Sequence, residues 1–338
     1  MQLKFIRNQC LAHRKILLEA FALFFFSGIA YLGLANLPTG DEPVFVTIRS
    51  GMTTREIGDL LYRDGIINNV YLFRILAQME GLQKSLQAGE YSFTPDMTLR
   101  HVVDVLAKGD TDYIQFTIPE GYTIDQIAKL IEEKKLGSGT EFKALAKNFT
   151  PYDYMRPGAG VIYASEGFVF PDTYKVSRNI KEKDLLQMMV THFDKQFTPA
   201  MRKQAQKLGL SIREVIILAS IVEKEAKIER DRPIIASVFL NRLKKGMPLQ
   251  SDATIQYILG NLKPDLTIED TKISSPYNAY QHAGLPPGPI ANPGLASIKA
   301  VLQPAKTDYL YFVADKQGMN HFSKTYEEHM ALVEKVRS

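Results

Sequence analysis

The sequence predicts an α+β protein in three parts: an N-terminal transmembrane helix, a small β-α-α-β module and a larger mixed α/β domain. Three observations carry that prediction. Residues 16–37 are one apolar run, long enough to cross a bilayer. A unit of short strand, turn, Thr and amphipathic helix recurs three times between residues 45 and 131. Beyond it, stretches of helical periodicity alternate with connections rich in Pro and Gly. At 45% hydrophobic and 23% charged the composition suits a folded chain, and 338 residues leave room for two domains besides an anchor.

The apolar run holds one charge, Glu19, near enough to its start to sit at the interface. Lys4, Arg7, Arg14 and Lys15 precede the run, and Asp41 and Glu42 follow it. The positive-inside rule therefore puts residues 1–15 in the cytoplasm, 16–37 across the membrane and the rest outside. A cleaved signal peptide is the alternative, though the run is long for one and shows no clear small-residue cleavage pattern. Net charge is +4, three units of it before residue 20, so the body carries no excess that points to nucleic acid. The one cysteine, Cys10, falls on the reducing side and permits no intramolecular disulfide. There is no Cys/His cluster, no His-Glu-x-x-His, no Gly-rich phosphate loop and no Gly-x-Ser-x-Gly, so neither a metal nor a cofactor is expected.

After the linker 38–43, Phe45-Val46-Thr47-Ile48 leads through Gly51 and Thr53 to Ile57, Leu60 and Leu61. Glu90-Tyr91-Ser92-Phe93 leads through Thr98 to Val102, Val105 and Leu106. Phe116-Thr117-Ile118 leads through Gly121 and Thr123 to Ile127, Leu130 and Ile131. Thr53 with Glu56, and Thr123 with Gln126, have the spacing of capping boxes. Another helix is expected over 70–79. The strand-helix-helix-strand order within 44–112 resembles a LysM-like module, a fold associated with glycan binding. A spacer that binds nothing is equally open, because fold alone does not imply function.

The larger domain spans 113–338. Residues 140–147 read as helix and 152–162 as a loop. The segment Ala164-Ser165-Glu166-Gly167-Phe168-Val169-Phe170-Pro171-Asp172-Thr173-Tyr174 combines a carboxylate, aromatics and a turn; it suits a sugar-cleft wall or a plain structural turn. Residues 181–207 form one or two helices, with Pro199 at a start.

The central helix begins at Ser211, whose hydroxyl can cap the first turn while Glu214 reaches back. At its far end stand Glu223 and Glu225. At about 100° per residue, Glu225 shares a stripe with Leu218, Ile221 and Val222, and Glu223 lies roughly 160° away, four residues before Lys227. Glu223 therefore has a surface explanation and Glu225 has none. A carboxyl held against aliphatic neighbours loses hydration of its charged form, and its pKa rises toward the range of a general acid. The alternative is that both belong to a charged helix end.

Further helices are expected over 234–245, stopped by Gly246, over 252–259, started by Ser251 or Asp252, and from Asn292-Pro293 to Leu302. The stiff connection through Ser275-Pro276-Tyr277-Asn278-Ala279-Tyr280 and Gly284-Leu285-Pro286-Pro287-Gly288-Pro289-Ile290 is long enough to be functional. Residues 309–313 and 320–323 read as partner strands across Gly318, and His321 as a satisfied histidine more readily than a base.

Taken together these segments resemble the YceG-like, or MltG, family of membrane-anchored endolytic murein transglycosylases. The likeness rests on Leu218-Ala219-Ser220-Ile221-Val222-Glu223-Lys224-Glu225, Asn241-Arg242, Leu249-Gln250-Ser251-Asp252, Pro276-Tyr277-Asn278-Ala279-Tyr280, Gly284 to Ile290, Tyr311 to Asp315, and Glu166-Gly167 with Phe170 to Tyr174. It implies that Glu225 is the essential acid, that peptidoglycan glycan strands are the substrate, and that cleavage inside the strand leaves 1,6-anhydro-muramyl ends. It further implies a bacterial inner-membrane protein with its catalytic domain on the periplasmic side and peptidoglycan synthases as partners. Glu166, Asn241, Gln250, Asp252, Tyr277, Asn278 and Tyr280 are the candidates for lining the cleft. A two-carboxylate muramidase, using Glu166 or Asp252 as well, and a glycan-binding scaffold without catalysis remain the competing expectations.

Overall fold

The computed structural model describes residues 43–94, 97–109, 113–177, 180–260, 263 and 266–337. The apolar run 16–37 and Cys10 lie outside them. Among the described residues no helix is long and apolar enough to cross a membrane. The chain divides into two compact units, one ending at Ile114 and one beginning at Gln115.

In the smaller unit, β1 (Val44–Ile48) pairs antiparallel with β2 (Gly89–Phe93), from Val44 opposite Phe93 to Ile48 opposite Gly89. Side chains alternate across a strand, so Val46, Ile48, Tyr91 and Phe93 turn inward together. Between the strands run α1 (Thr54–Arg63) and α2 (Val70–Met79), and α3 (Leu99–Lys108) follows β2. The sequence dictates the starts. Thr53 and Glu56 exchange bonds in a capping box, Asn69 accepts from Tyr71 N and Leu72 N, and Thr98 accepts from His101 N. Ile57, Leu61, Phe73, Ala77, Val102 and Leu106 complete the core.

The larger unit is mostly helical, with two small sheets. β3 (Tyr113–Thr117) pairs with β4 (Thr173–Ser177). The sequence reading gave no strand to 173–177; its partner lies some sixty residues upstream, and the pair is fastened where Thr117 Oγ1 meets Thr173 Oγ1 at 2.8 Å and Ile118 N donates to Asp172 O at 2.9 Å. Then come α4 (Ile124–Glu133), α5 (Gly139–Ala146), α6 (Glu182–Gln196), α7 (Pro199–Lys207), α8 (Ile212–Glu225), α9 (Arg232–Lys244), α10 (Asp252–Leu259) and α11 (Leu295–Leu302). The hairpin β5 (Tyr311–Ala314) and β6 (Asn320–Ser323) sets Phe312 opposite Phe322. The last helix, α12 (Tyr326–Arg337), packs on that hairpin; its weak apolar pattern gave no expectation of it.

Helix α8 is the core of this unit. Every residue from Val215 to Val222 is buried, with α7, α9, α10 and α11 packed around it. A helix apolar on all sides belongs at a domain centre, and truncating Leu218 or Ile221 to Ala there costs about 2–5 kcal/mol. The loop carrying Glu166 crosses α8 at Gly167, whose φ is +85°. A Cβ there would lie 2.5 Å from Pro289 Cγ and 2.7 Å from Ile216 Cγ2, so only glycine permits the crossing.

Candidate active site

Carboxylates from elsewhere in the chain complete several helix starts in the larger unit, and three of them bear on the site. A helix N-terminus leaves backbone N–H groups unpaired and carries partial positive charge, which makes it a natural seat for a carboxyl group. Glu166 accepts from Ile124 N at the start of α4, Glu223 from Gly294 N ahead of α11, and Glu225 from Ala253 N in the first turn of α10.

Glu225 closes α8. Ala226 at its cap adopts an extended conformation, which stops the helix there. The carboxyl group accepts from Ser251 Oγ at 2.5 Å. Ser251 is the N-cap residue of α10, yet its side chain makes no capping bond, because the hydroxyl is turned to Glu225 instead. Residue 225 keeps some exposed surface while its carboxyl group is closely packed by protein. That desolvation is the main influence and pushes its pKa up; the Asp252 charge pushes the same way, and the bonds from Ser251 and Ala253 and the charge of Arg242 oppose it.

Exposed polar groups adjoin this acid. Asp252 is exposed and accepts from Tyr280 OH at 2.5 Å. Gln250 is exposed and sits at φ +48°, a conformation uncommon for a side-chain-bearing residue. Its N donates to Ala279 O, and its Oε1 accepts from Arg242 Nη1 at 3.2 Å. Arg242 is 7% exposed and donates to the carbonyls of Leu310, Pro248 and Leu249, with its guanidinium over the Tyr311 ring. It pins the strand-like segment 248–250 against the hairpin, and with it Ser251. Both Ser251 and Arg242 fall in segments that carry the family likeness, but the sequence gives Ser251 no role beyond a helix start and Arg242 none; a charged residue between Phe239, Leu240 and Leu243 is the available signal.

Glu166 is fully enclosed. Both its oxygens lie 3.1 Å from Ile124 N, and it also accepts from Tyr257 OH at 3.1 Å and Asn292 Nδ2 at 3.0 Å. Burial drives its pKa up to about 8 against the lowering effect of these bonds. Asn292 ties the same junction to Tyr122 O and Val169 N. A partly open pocket near this cluster is lined by Thr123, Gln126, Lys224, Ala253, Tyr257 and Ile290.

The remaining candidates are spent on the scaffold. Asn278 is buried, donates to Thr271 O and Ile273 O and accepts from Tyr280 N, so it shapes its own loop. Buried Tyr277 packs on Tyr257, and its hydroxyl accepts from Ile162 N. Asn241 donates to Thr307 O and Tyr309 O. Glu223 is not the solvated partner of Lys227 that its spacing suggested. Its side chain is 7% exposed and takes Arg232 Nη2 at 3.3 Å and Gly294 N at 3.0 Å, both brought in by tertiary packing.

A protonatable acid beside exposed polar side chains, on an otherwise solid α/β scaffold, is the equipment of an acid–base enzyme. The chain belongs to the YceG-like family, whose profile matches residues 46–335. A Bacillus subtilis protein named endolytic murein transglycosylase is 34% identical over 310 residues, covering 87% of this chain and 85% of that one. A Streptococcus pneumoniae D39 protein of the same name is 34% identical over 315 residues; the match spans 85% of this chain and 57% of the streptococcal one. The crystal structure of a yceG-like protein from Listeria monocytogenes matches with a TM-score of 0.61 at 34% identity, covering 87% of this chain and 100% of that one.

Proposed function

We propose that the protein is a membrane-anchored endolytic lytic transglycosylase, cutting peptidoglycan glycan strands between N-acetylmuramic acid and N-acetylglucosamine. The observation that carries this reading is Glu225: an acid with a raised pKa, held by Ser251 and Ala253 beside exposed Gln250 and Asp252. Its relatives' name, endolytic murein transglycosylase, supports it. Protonated Glu225 gives its proton to the glycosidic oxygen as the bond to the anomeric carbon breaks. The muramyl C6 hydroxyl attacks that carbon and returns its proton to the carboxylate. No water is consumed, a 1,6-anhydro ring forms, and the acid is restored. Both steps need a pKa raised toward the working pH, and burial pushes it in that direction.

In this reading residues 16–37 anchor the chain in the bacterial inner membrane, with the enzyme on the periplasmic side. The unit from Val44 onward is a LysM-like module, and peptidoglycan synthases are partners. The anchor keeps the site within about a hundred ångströms of the membrane, which favours nascent strands and a role in ending their elongation. Asp252, close enough to raise the pKa of Glu225, keeps a two-carboxylate hydrolase as the second reading. Mass spectrometry of products from isolated glycan strands decides. Anhydro ends support the transglycosylase; reducing ends support the hydrolase; no cleavage by the folded wild type supports a scaffold.

A further inference from the structure

Helix α2 has more apolar surface than its unit can bury. Phe73 and Ala77 face the core, and Leu72 and Leu76 pack at its margin. Tyr71, Ile75 and Met79 point outward and are 73%, 38% and 56% exposed. Spaced by four, they advance about 40° per step and form one stripe along the whole helix. Scattered exposed hydrophobics are ordinary, but a continuous stripe on one helix face marks a contact surface. Exposed Arg74 flanks the stripe and has no ion-pair partner among the described residues.

The tether says what meets this face. This step rests on the proposal that residues 16–37 cross the membrane. From the end of that run to β1 the linker 38–43 reaches roughly 20 Å when extended. The module is therefore held at the lipid surface, where a tethered contact needs little affinity of its own. Tyrosine is enriched at membrane interfaces, aliphatic side chains favour the acyl boundary below, and an arginine stem can lie along it with the charge among phosphates. We propose that the Tyr71–Ile75–Met79 face of α2 lies in the headgroup layer of the bilayer that holds the anchor, so that the module is docked on the membrane.

The chain has no tryptophan, so one introduced residue reports alone. Full-length Phe25→Trp and Tyr71→Trp variants, each checked for wild-type circular dichroism, are reconstituted separately into phosphatidylcholine–phosphatidylglycerol vesicles with brominated acyl chains. Quenching of both tryptophans is the expected result. Adding Ile75→Glu to Tyr71→Trp should then cut its quenching at least two-fold. Quenching of Phe25→Trp with unquenched, solvent-like emission from Tyr71→Trp overturns the docking and leaves the anchor standing. Blue-shifted but unquenched emission from Tyr71→Trp means that protein and not lipid covers the stripe, which also overturns it. If neither is quenched, the anchor reading falls and the docking with it.

Discussion

Glu166 and Glu225 sit on comparable seats. Each is a carboxyl group in the larger unit, bonded to backbone N–H at the start of another helix, and each is driven above the ordinary carboxylate range chiefly by burial. Yet Glu166 is sealed, with backbone, amide and phenol donors on both oxygens, while residue 225 keeps exposed surface beside Gln250 and Asp252. A raised pKa does not by itself mark a catalytic acid. Exposed surface at residue 225 separates the two, and the proposed mechanism assigns the acid to that one and a structural part to the thoroughly bonded Glu166.

The comparison breaks most sharply at the acid. Glu225→Gln should lower turnover of isolated glycan strands by about 10²–10⁴-fold or more, with melting temperature and circular dichroism close to wild type. An active variant would remove Glu225 from the mechanism. Glu166→Gln should do the reverse, leaving the turnover of folded enzyme within a few-fold and lowering stability by about 1–3 kcal/mol, because its amide donors face the donors of Ile124, Tyr257 and Asn292. Denaturant titration across pH sharpens this. The folded pKa of Glu166 lies above the unfolded one, so the folded state holds its proton more tightly. The stabilisation is complete below the ordinary Glu range and is lost as pH rises from about 4.5 to about 8; the Gln variant should lose that component of the slope.

Smaller effects come from the neighbours of Glu225, and they should be opposite in sign. Ser251→Ala removes a donor that favours the carboxylate, so the acid should titrate higher and the basic limb of the pH–rate profile should move up. Asp252→Asn removes a charge that disfavours the carboxylate, so that limb should move down. Each shift should be about one pH unit or less. Equal shifts in one direction would show that Asp252 does not act on Glu225 through its charge.

Much of this was local enough to be written in the sequence. Thr53, Thr123 and Ser211 start their helices with partners three residues away, and the repeat of 3.6 set Glu225 on the buried stripe of Leu218, Ile221 and Val222. What escaped depends on distant partners. Glu166 meets donors 42, 91 and 126 residues away, Glu223 finds Gly294 across 71, and Ser251 reaches Glu225 across 26. No periodicity encodes those meetings. Strand β4 and the packing of Tyr277 were hidden for the same reason; Asn278 bonds within its own irregular loop, where no regular repeat applies.

One consequence follows from the missing side-chain cap on α10. Because Ser251 turns away from its own helix, the first turn of α10 is completed by a group that alternates between acid and anion during the proposed reaction. In that proposed cycle, the negative charge left when Glu225 gives up its proton arises where aligned peptide dipoles already point their positive ends. The receiving field is built into the backbone, so no side chain must swing in to meet the anion, and the group that takes the proton back is waiting in place.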